Sequence, residues 1–261
     1  MNLSLKGKNA LVGGGSAGIG KASAQALAEL GANVTLLART ESSLQAALST
    51  LDTTQGQQHQ YLVVDFSNPA ALLSMVEPVL KLQHFHILVN NTGGPPGGPI
   101  TEASASALLS AYTNHLLCNQ LLAQALLPGM QMAGFGRIVN VISTSVKEPL
   151  DNLGVSNTTR WAVAGWAKTW ANEVGKYGIT VNNVLPGYTT TSRLTEIIEK
   201  RATASGQSQA TIAEQFKQHV PLRRFAEPAE VAAAVAFLCT PAAGYISGVN
   251  LPVDGGRTRS L

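Results

Sequence analysis

The residues with the clearest chemical purpose lie near the start of the chain. Gly13-Gly14-Gly15-Ser16-Ala17-Gly18-Ile19-Gly20 follows a short apolar stretch, Asn9 to Val12, and leads into a helical pattern from about Ile19 to Leu30. Glycines at a strand-to-helix turn let the backbone approach a pyrophosphate, and the helix N-terminus adds free N–H groups and partial positive charge. Gly14, Ser16, Gly18, Ile19 and Gly20 are therefore expected to hold the phosphates of a dinucleotide. Arg39 directly follows the second apolar stretch, Asn33 to Ala38. An acidic residue there would hydrogen-bond the ribose 2′-hydroxyl of NAD, whereas an arginine pairs with the 2′-phosphate of NADP. The expected cofactor is NADP(H) rather than NAD(H).

Further motifs occur in order along the chain. The glycines at 14, 18 and 20 have the spacing Gly-x-x-x-Gly-x-Gly, and after them come Asn90-Asn91-Thr92-Gly93, the strand Gly136 to Ser143, Pro186-Gly187 and Val253-Asp254-Gly255-Gly256. Together they resemble the short-chain dehydrogenase/reductase family over residues 3 to 256, with a motif order similar to that of 3-oxoacyl-carrier-protein reductases. In that family a Ser holds the substrate oxygen and the Tyr of a Tyr-x-x-x-Lys pair donates the proton. The Lys lowers the Tyr pKa and holds the nicotinamide ribose, and an Asn from the preceding long helix supports a water that relays protons. By this resemblance Ser143 matches the serine and Asn114 the asparagine. Ser156 stands at the tyrosine position and Arg160 at the lysine position; Ala171-Asn172-Glu173 and Gly178 to Asn182 downstream hold that register without gaps. The resemblance also implies that Asp65 lies near the adenine, that Asn91 and Gly93 border the cofactor, and that Pro186 and Gly187 lie beside the nicotinamide. Gly13 occupies a place where the family often has a threonine that braces the turn, so a looser loop is expected.

The two departures change the chemistry. A phenol has an unperturbed pKa near ~10 and neighbouring positive charge brings it towards neutrality. A serine hydroxyl is far less acidic and shorter in reach, so Ser156 is a poor general acid. Arg160 can still bond a ribose, but a pKa above ~12 makes it a poor member of a proton relay. Three side chains are positioned by sequence to substitute: Lys147, four residues after Ser143; Tyr188, after Pro186-Gly187; and His115, next to Asn114. Lys147 and Tyr188 jointly are the expected donors, and His115 is expected to be a helix–helix contact. The leading reading is an NADP(H)-dependent oxidoreductase that moves a hydride between the nicotinamide and a small carbonyl or alcohol. The alternatives are a catalytically weak cofactor-binding sensor or structural partner, and a reaction without net redox on the same scaffold.

These residues need elements to position them. Strand and helix patterns alternate from Asn9 to Val253, which predicts an α/β fold: one Rossmann domain over 1–261 with a doubly wound parallel sheet and helices on both faces. A long helix is expected from about Ala103 to Met132, broken near its end by Pro128. The polar stretch Thr189 to His219 is too long for an ordinary loop and is expected to form a lid or substrate-binding segment. Of the 261 residues, 45% are hydrophobic and only 13% charged, which predicts extensive buried helix surface, part of it between subunits. A net charge of +3 is too weak to argue for nucleic acid. No apolar run is long enough to span a membrane and no leader pattern is visible, so a cytoplasmic protein with a small-molecule substrate is expected. Cys118 and Cys239 sit in apolar helical patterns and read as buried thiols, not a disulfide or metal site. Trp161, Trp166 and Trp170 share one helix and read as interface residues, which with the family resemblance implies a homo-oligomer, a tetramer or a dimer.

Overall fold

The computed structural model describes residues 1–260. Seven strands form one parallel sheet: β1 (Asn9–Gly13), β2 (Asn33–Ala38), β3 (Gln60–Val63), β4 (Ile87–Asn90), β5 (Gly136–Val141), β6 (Ile179–Pro186) and β7 (Asn250–Val253). Their spatial order is β3-β2-β1-β4-β5-β6-β7, and every neighbouring pair is parallel. The chain moves outward from β1 to β3, then returns to place β4 on the other side of β1. That reversal opens a crevice at the carboxyl ends of β1 and β4, where ligands of such sheets bind.

Helices cover both faces, as a parallel sheet requires. Side chains alternate across the pleat. Ala10, Val12, Ile87 and Val89 therefore join the core under α1 (Gly18–Glu29), α2 (Glu41–Leu48) and α9 (Pro228–Cys239). Leu11, Leu88 and Ile138 point to the opposite core, beneath α3 (Pro69–Leu80), α5 (Cys118–Ala133) and α6 (Gly154–Val174). Cys118 and Cys239 are both free and buried, and burial pushes their thiols up to about 11 and about 12. No helix among the described residues is long and apolar enough to cross a membrane.

The long helix between β4 and β5 departs from expectation. Pro128 does not break it; α5 runs through Pro128 to Ala133 and ends on left-handed Gly134 (φ 57°). The interruption lies earlier, where a π-helical turn over Thr113–Leu117 separates α4 (Ala105–Tyr112) from α5. Such a turn inserts an extra residue and re-aims the side chains around it. Here it carries Asn114 and His115. The polar segment after Thr189 folds into a helical hairpin, α7 (Ser192–Ser205) and α8 (Gln209–Gln218), with a small core of Leu194, Ile198, Ala202, Ile212 and Phe216.

An asparagine ladder crosses four strands. Asn90 Nδ2 donates to Asn140, Asn140 Nδ2 to Asn183, and Asn183 Nδ2 to Asn250, each bond 2.8 Å. The strand register puts these residues directly opposite one another. Asn140 and Asn183 each donate once and accept once inside the sheet; Asn90 Oδ1, at the end of the ladder, has no partner.

Candidate active site

One cleft of about 700 Å³ lies at the carboxyl ends of β1, β4, β5 and β6. Fifteen of the residues singled out in the sequence line it: Gly14, Ser16, Gly18, Ile19, Arg39, Asp65, Asn91, Gly93, Asn114, Ser143, Ser156, Arg160, Pro186, Gly187 and Tyr188. Gly20 and Lys147 do not.

The glycine turn is built by close packing. Gly14 and Gly18 have φ of 57° and 53°, which side-chain-bearing residues rarely adopt. Gly20 faces inward: a Cβ there would lie 2.2 Å from Gly14 O and 2.6 Å from Asn91 Nδ2. Its role is to let α1 close onto the turn. Asn91 donates from Nδ2 to Gly13 O at 3.2 Å, tying β4 to the turn. Gly13 is closely packed as well. A Cβ at that position would stand 2.8 Å from Asn91 O and 3.3 Å from the Phe66 ring, so backbone packing leaves a threonine no room without displacing Asn91.

Arg39 is exposed at the end of β2 and makes no ion pair among the described residues. Asp65, also exposed, accepts the backbone N–H of Ser67 at 2.9 Å. That bond, with the Ser67 hydroxyl and the more distant charge of Arg39, holds its carboxyl below the usual range.

Ser143, Asn114 and Arg160 also line the cleft. Ser143 leaves β5 in extended conformation and its Oγ accepts the N–H of Ser145 at 3.0 Å, which leaves the hydroxyl proton to donate. Arg160 on α6 is 8% exposed, and its Nη1 donates to Val141 O at 3.2 Å. Burial, with Arg193 nearby, lowers its pKa to about 10, so it remains a cation at neutral pH. Arg160 Nε has no acceptor and Asn114 Oδ1 has no donor, although both atoms are buried. An unmet donor and an unmet acceptor bordering one cleft suit a ligand with hydroxyls, which can answer both.

His115 is buried, and its Nδ1 lies 2.5 Å from Thr92 Oγ1. Burial and the charge of Arg160 lower its pKa to about 2. It is therefore neutral in the folded protein at ordinary pH, which removes it as an imidazolium donor. It meets the loop after β4, not another helix alone. Tyr188 is the one tyrosine lining the cleft. Its ring stacks on Phe216 (centroids 4.7 Å apart, 8° between planes), and the Arg257 guanidinium sits over it at 4.7 Å. Lys147 follows a short turn, Thr144–Val146, and lies off the lining. Trp166 and Trp170 both donate to Gln120 Oε1, at 2.6 and 2.9 Å, pinning α6 to α5 within the chain; only Trp161 is exposed. No tryptophan lines the cleft.

Thr92, inside the Asn90–Gly93 motif, Arg193, inside the expected substrate segment, and Arg257 also line it, and none of the three was singled out in the sequence. Arg193 Nη2 donates to Pro95 O at 2.6 Å, and Arg257 Nη1 to Thr144 Oγ1 at 3.3 Å. Arg193 lies in the segment marked by its polar composition and Arg257 directly after the Val253–Gly256 motif, but neither pattern picks out the arginine itself.

Comparison with known proteins agrees with this geometry. A family profile described as enoyl-(acyl carrier protein) reductase matches residues 14–258. A 3-oxoacyl-[acyl-carrier-protein] reductase of Vibrio cholerae is 35% identical over 257 residues, covering 97% of this chain and 98% of that one. The 7alpha-hydroxysteroid dehydrogenase of Escherichia coli K12 is 31% identical over 264 residues, covering 100% and 98%. The L-sorbose reductase of Gluconobacter frateurii, solved with NADPH and L-sorbose, superimposes over the whole of both chains with a TM-score of 0.93 at 32% identity. The dinucleotide crevice, the Rossmann sheet and these relatives lead to one conclusion: the chain belongs to the short-chain dehydrogenase/reductase family.

Proposed function

We propose that this chain is an NADP(H)-dependent oxidoreductase acting on a small carbonyl or alcohol, with a proton donor other than the family's tyrosine. The observation that carries this reading is the single cleft in which the glycine turn and Arg39 meet Ser143, Asn114 and Arg160. The cradle fits a dinucleotide: Gly14 and Gly20 leave no space for side chains, Gly18 holds a left-handed φ of 53°, and Arg160 Nε and Asn114 Oδ1 are unmet polar atoms at its inner end. Bound there, NADPH would supply the hydride, and the family and the NADPH-bound relative support that choice.

The protein's own groups have distinct tasks. Arg39 neutralises the 2′-phosphate as a charged fork. Arg160 holds the nicotinamide ribose and supplies fixed positive charge. Ser143 donates a hydrogen bond to the substrate oxygen, where negative charge develops. Ser156 has neither the acidity nor the length of the missing phenol. For the proton we propose Tyr188, the one phenol in the lining, with Lys147 as its partner from the rim. The test is NADPH consumption against a panel of carbonyl compounds. Tyr188→Phe should lower kcat about 100-fold or more, the range of a general-acid contribution, and Lys147→Ala, which removes only its partner, about tenfold or more. Unchanged turnover in both would remove them from the mechanism.

A second reading has a specific observation behind it. Tyr188 is clamped between Phe216 and Arg257, and no phenol stands at position 156, which favours a protein that binds cofactor and turns over slowly. Saturable NADPH binding with no consumption across the panel would favour it.

We further propose that the chain works as a homo-oligomer. Leu109, Tyr112, Leu117 and Trp161 are exposed on α4, the π turn and α6, an apolar face that a second copy would cover. Analytical ultracentrifugation of Leu109→Lys should show smaller particles than the unaltered protein.

A further inference from the structure

A second cleft, of about 1360 Å³, adjoins the first. Leu150, Leu153, Tyr188, Arg193, Ile197 and Arg257 line both, so these residues form the neck between them. The outer cleft is walled by the α7–α8 hairpin, the 148–153 loop and the 256–259 segment.

Its charge is strongly biased. Arg193, Lys200, Arg201, Arg223, Arg257 and Arg259 line it, against Glu148, Asp151 and Glu196. That is a third of the chain's 18 basic side chains, in a protein whose net charge is only +3. Glu196 is already paired with Arg193 at 3.5 Å. The other five cations make no ion pair among the described residues. Like charges gathered round a concave surface repel one another, and low-dielectric walls focus their field into the cleft. An anion relieves that repulsion.

Resting on the oxidoreductase reading above, we infer that the outer cleft seats the substrate and that the substrate is an anion, a carboxylate or phosphate ester of a small carbonyl compound. Its charged group is held at the neck by the unpaired Arg257 and by Arg193, for which it competes with the exposed Glu196. Guanidinium forks match both anions in a bidentate manner, which fixes orientation as well as charge. Arg257 bonds the side chain of Thr144, the residue next to Ser143, so an anion held there is a short spacer away from the serine that receives the carbonyl oxygen. Tyr188, stacked on Phe216 beneath Arg257, serves as a floor that keeps this guanidinium in place.

The test is calorimetric, on protein first saturated with NADP+, so that the phosphate sites of the cofactor are filled. The probes are matched pairs: acetoacetate with methyl acetoacetate, and dihydroxyacetone phosphate with dihydroxyacetone. At least one anion should bind roughly tenfold more tightly than its neutral partner. Arg193→Gln and Arg257→Gln should each remove most of that preference, while Arg257→Lys, which keeps the charge and loses the fork, should fall between. Thermal melts identify any variant that fails to fold, and Lys200→Gln, outside the neck, should then show a smaller loss of the same sign. Equal binding of neutral and anionic partners, no binding of either anion, or a preference untouched by the neck substitutions would each overturn the inference. Failure of the protein to take up NADP+ would instead overturn the oxidoreductase reading at the loading step, before any probe is added.

Discussion

His115 gives the most quantitative prediction. It is buried beside Thr92, and both burial and Arg160 hold its pKa near 2, against 6.5 for a free imidazole. Between those values the unfolded chain binds a proton that the folded chain refuses. Stability is therefore fully present above the unfolded pKa and is lost as pH falls below it. At pH 5 the unfolded state gains about 2 kcal/mol from this one proton, compared with about 0.2 kcal/mol at pH 7. For a chain of this size that corresponds to roughly 4–8 °C in Tm. The comparison is the melting temperature of the unaltered protein and of His115→Gln at pH 7 and pH 5. Glutamine keeps an amide to meet Thr92 but cannot titrate. The variant should lose about 2 kcal/mol less than the parent over that range. Other groups, among them His86 (pKa lowered mainly by burial), contribute equally to both proteins and cancel. Parallel pH profiles in parent and variant would show that His115 titrates alike in the folded and unfolded chain, and would refute the electrostatic picture drawn around Arg160.

Other predictions follow from contacts already described. Arg39→Asp should weaken NADPH binding about 10–100-fold and improve NADH relative to it, because a fork that pairs with phosphate becomes a charge that repels it. Gly20→Ala places a methyl group 2.2 Å from Gly14 O, and fluorescence titration should show NADPH affinity falling at least about tenfold, with about 1–3 kcal/mol of stability lost to overpacking. Asn140→Leu removes the central rung of the ladder and orphans Asn90 Nδ2 and Asn183 Oδ1; urea unfolding should register a loss of about 2–5 kcal/mol. A smaller loss would mean that the ladder is hydrated.

Much of this molecule is legible in its sequence, for local reasons. The apolar strands and the glycine turn are specified by neighbouring residues, so β1, the turn and α1 fall where expected, and Arg39 follows from its place after β2. The family resemblance supplied Ser143, Asn114, Ser156 and Arg160, which share one cleft. What stayed hidden depends on distant packing. Thr-Asn-His-Leu-Leu contains no helix breaker, so nothing marks the π turn that re-aims Asn114 and His115. Pro128 reads as a break, yet the packing of Leu122, Leu126 and Met130 on the sheet carries α5 through it. The asparagine ladder requires four strands in register, and Arg257 reaches the cleft from the far end of the chain. Polar composition alone marked 189–219 as unusual, but the hairpin core of Leu194, Ile198 and Phe216 appears only once α7 and α8 fold back on each other.

The central proposal is that the glycine turn, Arg39 and Arg160 form a working NADP(H) site with Ser156 where the family resemblance implies a tyrosine. A calorimetric titration of the purified protein with NADPH, and with NADH alongside, tests it most directly. The account predicts saturable binding with NADPH preferred; no binding of either nucleotide, or tighter binding of NADH, would contradict it.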